Sequence, residues 1–283
     1  MCPEAFLYFK GGKDMSKDVV REYYDSAAEK ELMRLTKPYT NIEFQTTMYL
    51  IEKYFNKECE LLDIGSGPGR YSLPLLEKGH KVSLLDLSQN ELDIAKRRIT
   101  ENGLVAEGYY CQSATDLSVF ADNTFDGVLI MGPMYHLHGE ENRLQVLKEV
   151  KRILKPKGRA LVAYINIWGV LKASLYECPG AFNEEASFYQ YEQESLELSE
   201  EVAFTKAYFT TPPAALKEIE KSGLNLVSYG GAESFMAGLI IETNNLATYM
   251  PDTYKAYVKK ACEFCELPQY RDATEHMHII VEK

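Results

Sequence analysis

A chain of 283 residues with 46% hydrophobic content has enough apolar material to bury a large core, and the length fits one elaborated domain better than two. Its net charge of −11 and pI near 5.1 argue against nucleic-acid substrates, because binders of a phosphate backbone concentrate Lys and Arg on one face and no such run here exceeds Lys96-Arg97-Arg98. No stretch approaches about 18 continuous apolar residues and no charged-then-apolar leader opens the chain, so a cytoplasmic protein without a membrane partner is expected.

From Ser16 to about Phe55 the apolar residues recur at helical spacing, through Leu32, Leu35, Ile42, Met48, Ile51 and Phe55, with Pro38 breaking the run. Tyr23-Tyr24-Asp25 on the first helix reads equally well as surface packing or as part of a closure over a ligand. Leu61-Leu62-Asp63-Ile64 is then an apolar strand that runs into Gly65-Ser66-Gly67-Pro68-Gly69 and a helix containing Pro74. Glycines at alternate positions let the backbone turn sharply and approach a ligand, and the helix start offers unpaired N–H groups. A dinucleotide fingerprint needs G-x-G-x-x-G, but Arg70 stands where its third glycine would fall, which disfavours a nicotinamide dehydrogenase.

A second buried strand, Val82-Ser83-Leu84-Leu85, ends in Asp86-Leu87-Ser88, with Asp86 close to the spacing expected of a ribose-holding carboxylate. Ser88 and Glu91 form an S-x-x-E capping box for the next helix. A third strand, Ala106 to Cys111, leads into Gln112-Ser113-Ala114-Thr115-Asp116-Leu117. A fourth, Phe125 to Met131, leads into Gly132-Pro133-Met134-Tyr135-His136-Leu137-His138 at the sheet edge where ligands of open α/β sheets bind. Glu140 to Leu154 is an amphipathic helix, Lys155 to Gly158 a turn and Arg159 to Ile165 a strand. Beyond it, Ile167 to Tyr208 is long, aromatic and acidic, which suggests a cap. Thr211-Pro212-Pro213 opens a helix ending near Gly223, Leu224 to Tyr229 is the sixth strand, Gly238 to Asp272 is helical, and Met277 to Val281 closes the chain as a strand.

The glycine loop with Asp63 two positions before it, the strand-end Asp86 and the Phe125 to Pro133 strand and loop together resemble class I S-adenosylmethionine (SAM)-dependent methyltransferases, strongly over residues 57–166 and more loosely over 209–283. The resemblance implies an α/β Rossmann-like sheet, mostly parallel with its last strand antiparallel, flanked by helices. It divides the chain into an N-terminal helical arm (1–56) and a methyltransferase domain (57–283) with a cap insertion at about 167–208 and a helical insertion at about 238–272. SAM is the implied cofactor, held by Asp63, Gly65, Ser66, Gly67, Gly69, Asp86, Leu87, Ser113, Ala114, Thr115 and Met131, with Tyr23 on the arm. Relatives often carry Asp where Ser113 stands, and P-G-G where this chain has Pro156-Lys157-Gly158.

The expected activity is methyl transfer to an O, N or S atom of a small molecule, with His136, Tyr135 and His138 as the catalytic candidates; a non-catalytic SAM-binding sensor or scaffold is the alternative. An imidazole suits the role of base because its ordinary pKa lies nearest neutrality. The M-G-P-x-Y-H-L string resembles a bacterial subgroup of small-molecule enzymes and lacks the Asn/Asp-Pro-Pro-Tyr of amino-directed nucleic-acid and protein-glutamine enzymes. The six cysteines, Cys2, Cys59, Cys111, Cys178, Cys262 and Cys265, are expected to be reduced. No metal is expected, since Cys262-x-x-Cys265 falls on a predicted helix and His276-x-His278 on one side of a terminal strand, at a spacing unlike H-x(3–5)-H.

Overall fold

The computed structural model describes residues 18–56, 58–201, 203 and 205–283; the expected helix start at Ser16 lies outside them. Two helices come first, α1 (Asp18–Arg34) and α2 (Pro38–Tyr54). Pro38 does not merely break the run. It occupies the first turn of α2, where its missing N–H costs no helical bond.

The alternating core follows: β1 (Glu60–Ile64), α3 (Ser72–Glu77), β2 (Lys81–Asp86), α4 (Gln89–Glu101), β3 (Gly108–Cys111), β4 (Phe125–Ile130), α5 (Glu140–Ile153) and β5 (Leu154–Asn166). Strands β1 to β5 run parallel in the order β3-β2-β1-β4-β5. Parallel strands require crossovers, and the helices that supply them cover both faces, so these strands read as continuous apolar runs rather than alternating ones. Successive side chains point to opposite faces: Leu62, Ile64, Val128 and Ile130 pack with Val146, Leu147 and Val150 of α5. Leu61, Val82, Leu84 and Leu129 pack on the other face with Leu92, Ala95 and Ile99 of α4 and with Leu50 and Ile51 of α2.

Strand β5 begins at Leu154, earlier than the expected Arg159. Its register against β4 shifts between Phe125 and Gly127, and Lys157 takes a left-handed φ of 64°, so the expected turn at 155–158 is a bulge inside a longer strand. After β5 come α6 (Ile167–Glu177), short turns, and the strands β6 (Ser195–Leu198) and β7 (Ala207–Thr210), which pair antiparallel with each other while β7 runs beside the end of β5. Then follow α7 (Pro212–Ser222), β8 (Asn225–Gly231), α8 (Ile240–Tyr249), α9 (Pro251–Phe264), α10 (Pro268–Arg271) and β9 (His276–Glu282). The expected sixth strand is thus the eighth, because β6 and β7 form a hairpin between β5 and α7. The last strand, β9, lies antiparallel between β5 and β8. This is the Rossmann-like class I methyltransferase sheet.

Candidate active site

The glycine loop is built by the ends of β1 and β2. Gly65 and Ser66 both donate backbone N–H bonds to Leu85 O, at 2.8 and 3.2 Å, which ties the loop to the neighbouring strand. Gly65 has a φ of 72°, and a Cβ there would stand 2.6 Å from Pro133 Cδ. Only glycine lets the loop after β1 touch the loop after β4. Gly67 also has a positive φ, 48°, but a Cβ there would meet nothing within 4 Å. Gly69 instead packs toward Ala95 of α4, 3.3 Å from where its Cβ would be.

Asp86 closes the loop from β2. Its Oδ2 accepts from Gly67 N–H and its Oδ1 from Ser88 N–H, both at 2.8 Å. Burial pushes its carboxyl up, and those backbone hydrogen bonds oppose the shift. A carboxylate has about four lone-pair sites, so both oxygens keep acceptor capacity for hydroxyl groups of a ligand. Asp63 lies beneath the loop, fully buried, and accepts from Ser72 Oγ at 2.6 Å. Burial raises its pKa to about 7, against that hydrogen bond.

A cavity of about 210 Å³ runs along this edge. Gly65, Ser66, Gly67, Asp86 and Leu87 line one stretch of it, and Gln112, Ser113 and Ala114 another. Ser66 Oγ and Gln112 Oε1 are buried without a hydrogen-bond partner among the described residues, a costly arrangement that a polar ligand relieves. Asp63, Gly69 and Thr115 are not in the lining; Thr115 Oγ1 pairs with Ser113 Oγ at 2.8 Å.

Continuing along the same cavity, Met131, Gly132, Pro133, Tyr135 and His136 form its wall. Tyr135 donates its hydroxyl to Met131 O at 2.9 Å, while Arg143, buried against Glu218 at 2.9 Å, donates to Leu137 O at 2.8 Å and fixes the loop's exit. His136 Nδ1 lies 2.8 Å from Lys206 O and its Nε2 2.8 Å from the Tyr24 hydroxyl. His138 is outside the lining: its Nε2–H donates to Ala207 O at 3.1 Å, and Nδ1 is 3.9 Å from Glu197.

Of the remaining wall, only the Tyr23-Tyr24-Asp25 stretch was offered by the sequence. Tyr24 rather than Tyr23 lines the cavity, Tyr23 packing edge-on against it with centroids 5.2 Å apart. Arg34 and Glu43 join from the first two helices and Leu35 from the turn between them, Arg70 from the end of the glycine loop and His276 from β9. Arg70 reaches Glu43 at 3.2 Å and Thr40 O at 2.6 Å. His276 Nδ1 stands 2.7 Å from Glu233. Burial alone would raise Glu43 and lower His276, but charge overrides it: His276 and Arg70 hold Glu43 at about 2, and Glu43 and Glu233 lift His276 to about 10. None of residues 167–208 lines the cavity among the described residues; there Phe182 packs against Phe188 and Tyr191. Cys262 lies against Thr46 at 3.8 Å, on α9, and no group of three or more possible metal ligands occurs among the described residues.

The sheet order, the glycine loop beside a strand-end acid and the cavity at the carboxyl edge define the class I methyltransferase architecture. Residues 62–162 match the family described as methyltransferase domain. An uncharacterised protein of Methanocaldococcus jannaschii is 29% identical over 208 residues, covering 71% of this chain and 86% of its own length. The ubiquinone/menaquinone biosynthesis C-methyltransferase of Vibrio cholerae is 32% identical over 106 residues, 36% of this chain and only 39% of that enzyme. Among solved structures, the 1,6-didemethyltoxoflavin-N1-methyltransferase of Burkholderia thailandensis, which holds 1,6-didemethyltoxoflavin and S-adenosylhomocysteine, superposes with a TM-score of 0.58 at 13% identity over 97% of this chain and 93% of its own. Residues 62–162 are thus a methyltransferase domain, carried on the fold of the class I SAM-dependent methyltransferases. The Ser66 and Gln112 oxygens, which have no partner among the described residues, the open space above Gly67 and the Asp86 carboxylate fit SAM.

Proposed function

We propose that this protein transfers the methyl group of SAM to an O, N or S atom of a small molecule in the cytoplasm. The observation that supports it best is the continuity of one cavity from Asp86 and Gln112 to Tyr135 and His136. In this reading Asp86 accepts from the ribose hydroxyls, Gln112, Ser113 and Ala114 face the adenine, and the glycine loop receives the amino-acid end beside Arg70. When bound, SAM supplies a methyl group activated by its sulfonium charge. The chain's own work is to hold the acceptor in line, exclude water and take up a proton where the acceptor carries one. Tyr135 and His136 stand at the stretch of wall where an acceptor would meet the methyl group.

Calorimetry with SAM and S-adenosylhomocysteine, followed by a screen of small phenols, thiols and amines for S-adenosylhomocysteine formation, tests the proposal. Asp86→Ala is expected to weaken SAM binding by about 1–3 kcal/mol, since charge-assisted hydrogen bonds are lost. Preferential binding of NAD would overturn the cofactor site, and tight SAM binding without turnover of any acceptor would favour a sensor or scaffold.

A further inference from the structure

We propose that the group meeting the acceptor's proton is Tyr24, backed by His136 as a phenol–imidazole dyad; this rests on the methyl-transfer reading. A carbonyl oxygen only accepts, so the 2.8 Å contact of His136 Nδ1 with Lys206 O places the ring proton on Nδ1. Nε2 of the neutral ring is then the acceptor, and the partner 2.8 Å away is the Tyr24 hydroxyl, which donates to it. An acceptor molecule reaching for Nε2 meets the Tyr24 oxygen first. Both residues line the cavity, and their rings stand edge to face with centroids 5.5 Å apart. Tyr135 flanks the imidazole on another side, with centroids 4.9 Å apart.

Tyr24 is held there by its neighbour on the arm. Asp25 accepts from Ser88 Oγ, and its backbone oxygen accepts from Asn90 Nδ2 at 2.9 Å. Ser88 also caps α4 through Glu91 N–H at 3.2 Å. The arm is therefore pinned to the residues that follow Asp86, at the same edge.

In the proposed step the acceptor's proton passes to Tyr24 Oη while the Tyr24 hydroxyl proton moves to His136 Nε2. The electron pair left on the acceptor heteroatom forms the bond to the methyl carbon, and the pair of the broken carbon–sulfur bond stays on sulfur. The imidazolium so formed is stabilised by Nδ1–H donating to Lys206 O, and Nε2 later returns its proton to solvent. Tyr24 is neutral before and after, so no phenolate persists in the cavity.

Two measurements on the full chain decide it. Nitrogen-15 NMR of the His136 ring, with S-adenosylhomocysteine bound, is expected to show Nδ1 protonated and Nε2 bare, with the Nε2 resonance moving in Tyr24→Phe. A protonated Nε2 in the neutral ring would overturn the dyad whether or not an acceptor is known. Kinetically, Tyr24→Phe is expected to slow methylation of un-ionised phenols about 100-fold while sparing the pre-ionised thiolate of 4-nitrothiophenol to within about threefold. Asp25→Ala, which only loosens the arm, should slow both alike. The same flat loss in Tyr24→Phe would make Tyr24 a structural latch and overturn the proposal. A wild-type protein that binds SAM but turns over no probe counts against the methyl-transfer reading, and the ring-nitrogen measurement still decides the dyad.

Discussion

Gly65 and Gly67 share a left-handed backbone but not a neighbourhood, and that difference makes them separable by substitution. An Ala at Gly65 must push its Cβ against Pro133 and the Gly132 backbone, 2.6 and 3.3 Å away. Backbone strain and overpacking then add, so Gly65→Ala is expected to lose about 2–4 kcal/mol of stability in urea denaturation. At Gly67 the added methyl meets nothing within 4 Å, leaving about 1–2 kcal/mol of conformational strain. If the space above Gly67 belongs to the cofactor, Gly67→Ala should nonetheless weaken SAM binding at least tenfold by calorimetry. A variant with the small stability loss and wild-type affinity would move the cofactor away from this glycine.

The two N-terminal helices differ as elements. Helix α2 buries Tyr39, Ile42, Thr46, Thr47, Met48, Leu50 and Ile51, whereas no described residue of α1 is fully buried and its contacts to the domain include the polar pairs at Tyr24 and Asp25. Segments with few buried apolar contacts open locally at low free energy. Amide exchange should therefore be fast in α1 and slow in α2 in the free protein, and α1 should slow several-fold once S-adenosylhomocysteine is bound. Equal protection of both helices without ligand would mean that α1 is docked permanently.

The same contrast explains what the chain announces in its sequence. Strands β1, β2 and β4 are continuous apolar runs because both sheet faces are covered, and the glycine loop and Asp86 are local features, so they could be read directly. Strand β6, Ser-Leu-Glu-Leu, sits among acids with a mostly solvent-facing pattern and exists through its pairing with β7, which no local pattern encodes. The cavity wall from α2 and β9, and the choice of residue from α1, were hidden for a related reason: the Tyr24–His136 pair spans 112 positions, and Glu43 and His276 meet from opposite ends of the described chain. Tyr24 and Tyr23 are adjacent on one helix, and only the packed arm tells which faces the cavity.

On the scale of the whole molecule, β9 carries a charge network that joins the two ends of the described chain. His276 faces Glu43 from α2, Glu233 from the segment after β8, its neighbour Glu275, and Glu177 from the end of α6. Its folded-state pKa of about 10 lies above the ordinary 6.5, so the stability it contributes is complete below about pH 6.5 and is lost as pH rises toward 10. Asp63 and Glu275, raised to about 7 and about 8 by burial, act in the same direction: the folded state holds protons that the unfolded state has released, and stability falls as pH climbs to those values. His278, depressed by burial to about 4, is neutral in both states above about pH 7 and drops out of the alkaline limb. Urea midpoints should thus decline steadily from pH 6.5 to 10. His276→Gln, which cannot carry the proton, should flatten the part of that decline between pH 8 and 10, removing on the order of 2 kcal/mol of pH-dependent stability once partial exposure of the ring is allowed for. The chain already carries a net charge of −11, so general self-repulsion also grows with pH, and the difference between the two proteins isolates the histidine. An unchanged slope in His276→Gln would assign the alkaline loss to that general repulsion rather than to the network around β9.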